Sequence, residues 1–323
     1  MDSFIKQIDQ FIEKHNLLPV GSKVIIGLSG GPDSLFLLHF LAEKHRIGTI
    51  TLVAAHLDHE WRANSANDAL FCQETAAKLG VLFVSAKISD LSLKAKYGGS
   101  REAYARTMRR HFLQQVKTEH HADIIALAHH TQDQQETFFI RLIRGATLTG
   151  LTAMRPKSGN YIRPLLETDK QDILHYLHEH SIPYLTDPSN NSEDFLRNRI
   201  RQKIIPALKA CDERFEKNLK IGIKRLQEEE LLLNKLTQEA FDKISIGNDG
   251  ICVYLEDLFK LDKALQYRVI MHWLQYQKVP FTPTQKFLDE ILRFLQQPGS
   301  KQHKLHHAWL ITKKKNNAKI EYV

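Results

Sequence analysis

Short apolar runs alternate with longer segments of helical periodicity in the first half of the chain. Four runs lack polar alternation, which is typical of strands buried on both faces of a parallel sheet. They are residues 24–28, 50–55, 81–84 and 124–128. The segments between them predict helices at residues 34–44, 65–79 and 101–119. This alternation predicts right-handed βαβ units and a doubly wound α/β fold with a parallel sheet.

The second half of the chain has a different pattern. The first domain is expected to continue with a helix to about residue 144, a strand near 161–163, a helix at 170–180 and a basic helix ending near 206. A long helical period covers residues 215–236. The end of the chain predicts helices at 262–277 and 284–296 and strands near 251–254, 304–311 and 319–322. We therefore expect a catalytic domain at 1–212, a helical linker at 213–246 and a small α+β domain at 247–323.

Polar residues follow three of the predicted strands directly. They occupy residues 29–34, 56–58 and 129–133. Ligands of open α/β sheets bind beyond the carboxyl ends of the strands. The three segments therefore predict a single crevice at that edge.

Composition narrows the function classes. The chain has 323 residues and a formal net charge of +8, which fits either a basic soluble protein or one with a polyanionic partner. The three cysteines are Cys72, Cys211 and Cys252, and their spacing supports neither a disulfide framework nor a zinc site. The first residues predict an amphipathic helix rather than a signal peptide, and no apolar run suits a membrane span. We expect a cytoplasmic protein without membrane contact.

The segment SGGPDS runs from the first predicted strand into a helix. Its glycines let the backbone approach a ligand closely, and a helix start offers N–H groups and a favourable dipole to an anion. An ordinary strand-to-helix turn capped by Asp33 is the alternative, and the Walker pattern is absent. The complete hexapeptide favours a phosphate site, with Asp33 also holding Mg²⁺. The expected ATP ligands here are Ser29, Gly30, Gly31, Pro32, Asp33 and Ser34.

This segment resembles the PP-loop of the ATP pyrophosphatases, which split ATP between its α and β phosphates. Other motifs are similar to those of the tRNA(Ile)-lysidine synthetases, in order over about residues 20 to 210. They are LDHEWRANS, REAYARTMRR, AHHTQDQQET, RGATLTGL, RPLLE and DPSNNSEDFLRNRIR. The chain departs from that family at Gln132, where aspartate is usual, at Glu60 and Trp61, where Gly-Leu is common, and at Arg110, where tyrosine is common.

The resemblance implies a reaction with ATP, Mg²⁺, free lysine and an isoleucine tRNA that has a CAU anticodon. ATP would adenylate the C2 oxygen of the wobble cytidine and release pyrophosphate. The lysine ε-amine would then displace AMP, giving lysidine and changing the reading of the anticodon from AUG to AUA. Free lysine is an ammonium at pH 7, and reaching the neutral amine costs about 4.6 kcal/mol. A base or a desolvating site is therefore expected.

Carboxylates near the third strand end are the candidates for this step. We expect Asp133 to orient and deprotonate lysine, with Glu136 one helical turn further on the same face. Both could instead cap the helix start. His130 either bonds the reacting groups or closes the strand end. His56, Arg106 and Arg109 are expected to contact ATP; the two arginines are alternatively surface charges.

A basic segment and two aromatic residues are the candidates for tRNA contact. The expected tRNA ligands are Arg197, Asn198, Arg199, Arg201 and Lys203, the alternative being a solvated basic helix face. Trp61 and Tyr104 could stack on a base but are expected in the core. The long helix would allow a homodimer. Rival functions are a tRNA thiolase, which the scattered cysteines disfavour, and a tRNA-binding protein with a decayed site.

Overall fold

The computed structural model describes residues 2–61, 65–91, 101–186, 195–247, 252–281 and 284–323. The chain divides into two compact units, unit 1 (Met1–Lys224) and unit 2 (Arg225–Val323). Parts of two of the family-like motifs, residues 62–64 and 187–194, lie outside the described residues. None of the helices in the described ranges is long and apolar enough to cross a membrane.

Unit 1 is built on a mixed sheet with the strand order β3-β2-β1-β4-β6-β5 within the described residues. The strands are β1 (Lys23–Gly27), β2 (Thr51–Asp58), β3 (Leu82–Lys87), β4 (Ile124–Ala126), β5 (Lys157–Ser158) and β6 (Tyr161–Ile162). Only the β5–β6 pair among these is antiparallel. The strands β2, β1 and β4 are neighbours, so the three polar segments predicted to share a crevice follow adjacent strand ends.

The helices of unit 1 lie close to the predicted positions. They are α1 (Asp2–Lys14), α2 (Pro32–Arg46), α3 (Ser65–Lys78), α4 (Arg101–Glu119), α5 (Thr131–Ile143), α6 (Leu148–Leu151), α7 (Lys170–Glu179), α8 (Leu196–Arg199), α9 (Ile205–Cys211) and the beginning of α10 (Phe215–Ile244). The predicted single basic helix ending near residue 206 is instead α8, a π-helical segment at Ile200–Ile204 and α9. The unit boundary falls within α10.

Hydrophobic cores lie on both faces of the sheet, as the doubly wound prediction requires. Val24 and Ile26 of β1 face a core shared with α1, α2, α3 and α7. Ile25 points the other way, into a core with Met108 and Phe112 of α4. Successive residues of a strand face opposite sides, so a continuous apolar run fills both layers. This confirms the predicted fold class.

One strand prediction needs correction. The run at residues 81–84 was expected to be buried on both faces, but β3 is an edge strand, and Leu82 is 55% exposed. Ser85 and Lys87 are also exposed. The apolar run was too short to distinguish a central strand from an edge strand, which tolerates polar and charged side chains.

Unit 2 packs helices on a sheet with the order β7-β8-β11-β10-β9 within the described residues, and its pairs are antiparallel. Its strands are β7 (Ser245–Ile246), β8 (Cys252–Tyr254), β9 (Lys301–His306), β10 (Trp309–Lys314) and β11 (Asn317–Tyr322), and its helices are α11 (Leu255–Lys260), α12 (Lys263–Tyr276) and α13 (Gln285–Gln296). Trp273 is fully buried in its core beside Ile270 and Ile291. The predicted α+β character is confirmed.

Two details of this region differ from expectation. The single strand expected at 304–311 is a hairpin of β9 and β10, because the chain turns at His307 and Ala308. The helix expected to end at 236 continues to Ile244. Its extension keeps the helical period with Ala240, Phe241 and Ile244, all of which are buried in the core of unit 2.

Candidate active site

The SGGPDS loop (residues 29–34) closes on itself where β1 ends. The Ser34 hydroxyl donates to the Gly31 carbonyl at 3.0 Å and accepts from the Ser29 backbone N–H at 3.2 Å. Pro32 begins α2, and proline suits a first helical turn because it lacks the N–H that would have no partner there. The N–H groups and dipole of this helix start face the end of the sheet, which suits an anion.

Gly30 is the residue on which the loop conformation depends. Its φ is +77°, a region that side chains disfavour, and its carbonyl accepts from the Leu185 N–H at 2.9 Å. A Cβ at this position would lie 2.6 Å from Leu185 Cδ1. The Leu185 segment therefore packs directly on the phosphate loop.

We expect Gly30→Ala to lower the free energy of unfolding by about 1–2 kcal/mol because of its positive φ. The matched control is Gly31→Ala, since Gly31 has a φ of −73°, which any residue adopts. Urea denaturation of both variants measures the difference. Equal losses would contradict the role given to the Gly30 backbone.

Asp33 faces a lysine that the sequence did not single out. Lys170 Nζ lies 2.5 Å from Asp33 Oδ1 and 2.6 Å from Oδ2. Lys170 opens α7 directly after Asp169, which caps the helix by accepting from the Gln171 N–H at 2.9 Å. A lysine at a helix N-terminus opposes the helix dipole. The unfavourable position of Lys170 at a helix N-terminus is the sequence signal that could have indicated its contact with Asp33.

His130 lies between two carboxylates. Its Nε2 is 3.6 Å from Asp33 Oδ2 and 3.5 Å from Asp133 Oδ2. Burial lowers the pKa of His130, but the hydrogen bond to Asp33 and the two carboxylate charges outweigh it, so the net pKa is raised. The sequence placed Asp33 and Asp133 on different strand ends, and the structure brings them together around this imidazole.

The two carboxylates stay ionised for related reasons. Burial raises the pKa of Asp33, but the His130 contact and the charge of Lys170 outweigh it and hold the pKa below its ordinary value. Burial likewise raises the pKa of Asp133, and the charges of His130, His129 and Arg197 hold it low. Asp133 also accepts the His130 backbone N–H at 3.0 Å, so it caps α5 as well as facing the site.

Gln132, the departure from the family pattern, holds two parts of the site. Its Oε1 accepts the Lys170 backbone N–H at 3.0 Å and lies 3.1 Å from His130 Nδ1. An amide oxygen can only accept hydrogen bonds, so His130 Nδ1 must carry the proton in its contact with Gln132. The other ring nitrogen, Nε2, faces the carboxylates of Asp33 and Asp133. Gln132 therefore makes these two contacts through a neutral oxygen, and neither contact needs the negative charge of an aspartate.

Glu136 is fully buried and ion-paired. Its Oε1 lies 2.5 Å from Arg201 Nε, and its Oε2 lies 3.2 Å from Arg197 Nε. Burial raises the pKa of Glu136 although Arg201 and Arg197 act in the opposite direction. The structure thus joins a predicted catalytic carboxylate to two predicted tRNA ligands.

The comparisons with known proteins agree with this geometry. The model of the PP-loop domain matches residues 1–208, well over half of the chain. The chain belongs to the PP-loop family. A second model, described as the TilS substrate binding domain, matches residues 254–315.

Two curated relatives of this PP-loop protein are named tRNA(Ile)-lysidine synthase. The one from Bacillus subtilis (strain 168) is 34% identical over 307 residues, and the one from Bacillus cereus (strain ATCC 10987 / NRS 248) is 32% identical over 303 residues. Each alignment covers 91% of this chain and 64% of the relative. The chain therefore spans slightly less than two thirds of the length of these relatives.

A solved structure shares the fold. It is the U34-tRNA thiolase NcsA from Methanococcus maripaludis with its [4Fe-4S] cluster, at a TM-score of 0.57 and 22% identity. The match covers 70% of this chain and 79% of that one. At this identity the likeness supports the PP-loop fold and nothing more specific.

The other predicted residues of the PP-loop domain have varied surroundings. His56 is buried, and its Nδ1 lies 3.0 Å from the Leu28 carbonyl, so it contacts the base of the loop. Arg109 Nη2 lies 3.1 Å from His59 Nε2, while Arg106 is exposed on the same helix. Among the predicted tRNA ligands, Asn198 is buried, whereas Arg199 and Lys203 are exposed.

The expectation for the two aromatic residues is half right. Tyr104 packs against the core on the α4 face of the sheet. Trp61 is 38% exposed and lies 5.1 Å from the His59 ring, so placing it in the core was wrong. Trp61 is not part of a hydrophobic repeat along the chain, so the sequence gave no information on its burial.

Proposed function

We propose that this protein ligates lysine to C2 of the wobble cytidine of an isoleucine tRNA with a CAU anticodon, using ATP to adenylate the base. One observation carries the proposal. Asp33, His130 and Asp133 converge beside a PP-loop, with His130 Nε2 within 3.6 Å of both carboxylates. The similarity to lysidine synthases over 91% of the chain supports this choice of substrates. Such substrates imply a cytoplasmic enzyme.

The PP-loop family uses ATP, and we assign its phosphates to the SGGPDS loop. The α2 start offers backbone N–H groups, and Ser29 and Ser34 add hydroxyls. Arg106 and Arg109 of α4, and His56 beneath the loop, complete the proposed ATP site. Cleavage between the α and β phosphates would leave pyrophosphate against this loop.

Mg²⁺ fits this site only as an ion that arrives with the phosphates. No group of three or more His, Cys, Asp or Glu among the described residues could hold a metal. Mg²⁺ commonly binds one or two carboxylates plus phosphate oxygens, and Asp33 offers one carboxylate beside the loop. We propose that Asp33 would hold the ion, which would neutralise charge on the departing pyrophosphate. Lys170 would then share or release Asp33.

Asp133 is our candidate for binding the ε-ammonium of lysine. A carboxylate with a lowered pKa attracts an ammonium strongly but is a weak base. We therefore assign Asp133 to the orientation of lysine rather than to complete removal of its proton. His130, with a raised pKa, would donate a hydrogen bond toward the reacting oxygens.

Glu136 is better suited to positioning than to contact with substrate, because its side chain has no exposed surface. It fixes Arg201 and Arg197 beside Asp133, so these arginines would line the lysine site and meet the tRNA. Arg199, Lys203 and Asn198 would extend that contact along the segment. Residues 254–315 are proposed to bind the tRNA as well.

We expect AMP and pyrophosphate to accumulate only when ATP, lysine and the cognate tRNA are present together. The measurement uses labelled ATP and labelled lysine with purified protein, leaving out one substrate at a time. A tRNA in which the wobble cytidine is replaced is the matched control. Turnover without lysine, or incorporation of sulfur into the tRNA, would overturn the proposal.

The thiolase alternative has little support in this chain. The described cysteines are a buried Cys72, an exposed Cys211 and a partly buried Cys252, and no disulfide joins them. Thiolase chemistry in this superfamily needs cysteine pairs or a cluster. Sulfur transfer is nevertheless tested directly by the same substrate-omission assay.

A homodimer is also proposed, because one helix exposes an apolar surface. Leu231, Leu232 and Leu236 of α10 are exposed, which is unusual for a helix that faces only solvent. Sedimentation of the purified protein tests this, and a monomer at micromolar concentration would exclude it.

A further inference from the structure

Two stretches of unit 1 contain cations and no acids. Residues 137–166 include Arg141, Arg144, Arg155, Lys157 and Arg163 without an aspartate or glutamate. Residues 103–118 include Arg106, Arg109, Arg110 and Lys117, again without an acid. A solvated surface normally mixes both signs of charge. Arg106 and Arg109 are assigned to the proposed ATP site, but the other cations of these stretches have no role in the proposed ATP and lysine sites.

The fold brings these stretches together. The Arg110 guanidinium lies over the Tyr161 ring, 5.1 Å from its centroid, and the Tyr161 hydroxyl donates to the Arg110 carbonyl. This joins α4 to β6. Arg163 follows β6 directly and donates to the Arg155 carbonyl at 2.9 Å. Because β6 pairs with β4, Arg163 lies at the strand end next to the one that leads into His130.

Arg163 and His129 lie among several positive charges. Burial and the charges of Arg106, Arg110 and Arg141 lower the pKa of Arg163 to about 10. Its Nε is buried without a hydrogen-bond partner among the described residues. The same is true of Nδ1 of His129, and burial with the nearby arginine charges lowers the pKa of His129 to about 4. Buried polar atoms are normally hydrogen-bonded, so Arg163 Nε and His129 Nδ1 are candidates for contact with a ligand or water.

We propose that these residues bind backbone phosphates of the RNA substrate next to the reacting base. The surface, which we call the arginine surface, consists of Arg110, Arg141, Arg144, Arg155 and Arg163. The inference rests on the proposed function and adds a phosphate contact region to it, distinct from the segment of Arg197–Lys203. Guanidinium groups bind phosphate oxygens in a bidentate manner.

The number of arginines favours a polymer over a small anion. A single carboxylate, such as that of lysine, needs one cation, whereas consecutive phosphates present several charges in a row. Arg110 lies about 6 Å along α4 from Arg106 of the proposed ATP site, given the rise of 1.5 Å per residue, so the surface begins beside that site. Arg144 extends the surface from the end of α5 and is exposed. The arrangement suits a strand of RNA that leads into the site.

The test uses charge reversal at exposed positions outside the proposed catalytic site. Arg110→Glu and Arg144→Glu are compared with Lys78→Glu, which changes the net charge equally. Lys78 is exposed at the end of α3, and α3 packs on the opposite face of the sheet from α4. Binding of a CAU-anticodon tRNA transcript is measured by fluorescence anisotropy at several salt concentrations. Thermal unfolding of each variant verifies the fold.

We expect each arginine variant to weaken RNA binding about tenfold. The slope of log K against log salt should become shallower by about 0.7 to 0.9 for each phosphate that is no longer neutralised. The KM for ATP at saturating RNA should not change. Lys78→Glu should stay within about twofold of the parent protein. Equal effects in all three variants, or a raised KM for ATP or lysine without a change in RNA affinity, would overturn the proposal.

Failure of the proposed function would give a different pattern. If the parent protein forms no lysidine, the proposed reaction is wrong, but the comparison of the three variants for RNA binding still decides the role of the surface. If lysidine forms normally and the arginine variants bind RNA like the parent, only the arginine surface is wrong. The two proposals can therefore be rejected separately.

Discussion

Replacing Asp33 with alanine is expected to reduce turnover by about three orders of magnitude or more while largely sparing tRNA binding. Removal of one group that stabilises developing charge in an active site costs about 100- to 1000-fold, and Asp33 also carries the proposed Mg²⁺ contact. Its carboxylate contacts Lys170 and lies near His130, so its removal changes the charge of the whole site. Steady-state pyrophosphate release measures the turnover, and a filter-binding assay measures the tRNA affinity.

Asp33→Asn is the matched variant because it keeps the size of the side chain and removes only its charge. An equal drop in turnover in both variants would mean that the charge matters. If Asp33→Asn keeps most of the activity, the role of Asp33 is packing of the loop and the Mg²⁺ assignment fails. A large drop in tRNA affinity in either variant would instead indicate a role in folding or in binding the RNA.

Lys170 shows where sequence reasoning reached its limit. The loop motif predicted the position of Asp33 from six consecutive residues, since a strand end and a helix start follow from local pattern. The partner of Asp33 lies 137 residues away along the chain. Its position depends on β6 pairing beside β4 and on where α7 begins, and neither follows from local periodicity. Contacts between side chains that are distant along the chain could not be predicted from the local sequence pattern.

The strands show the same limit in another way. Apolar runs predicted β1, β2 and β4 well, because burial on both faces leaves a continuous hydrophobic signal. The two-residue strands β5 and β6 gave only a partial signal, and β3 was assigned too much burial. The hairpin of β9 and β10 was read as one strand, although His307 and Ala308 form a turn between the two strands. Short or polar strands form mainly because neighbouring strands pair with them, so their own residues carry little signal.

For Glu136, the structure confirms the predicted position in the helix but changes the interpretation of its role. The sequence placed it correctly one turn after Asp133, on the same face of α5. The pattern could not show that Arg201 and Arg197 reach Glu136 from the segment at residues 197–201. The motif AHHTQDQQET thus supplies the carboxylate of Glu136, and the motif DPSNNSEDFLRNRIR supplies the two arginines that pair with it. The proposed lysine site is therefore built from both.

Replacing Asp133 with asparagine is expected to raise the KM for lysine by about 10- to 100-fold with a much smaller change in the KM for ATP. A hydrogen bond to a charged partner contributes about 1.5–3 kcal/mol, and 1.4 kcal/mol corresponds to a factor of ten. An asparagine oxygen can still accept the His130 N–H, so the cap of α5 is preserved and the charge alone is removed. Initial rates at varied lysine and saturating ATP and tRNA provide the measurement.

Glu136→Gln provides the contrast for that experiment. Glu136 is buried behind Arg201, so its replacement should act through the arginines and alter tRNA affinity together with the lysine response. Asp133→Asn should alter the lysine response without a change in tRNA affinity. If Asp133→Asn instead raises the KM for ATP, Asp133 serves the phosphate end of the site with Asp33. The ammonium of lysine would then need a different carboxylate, and Glu136 could supply it only if Arg201 moved away.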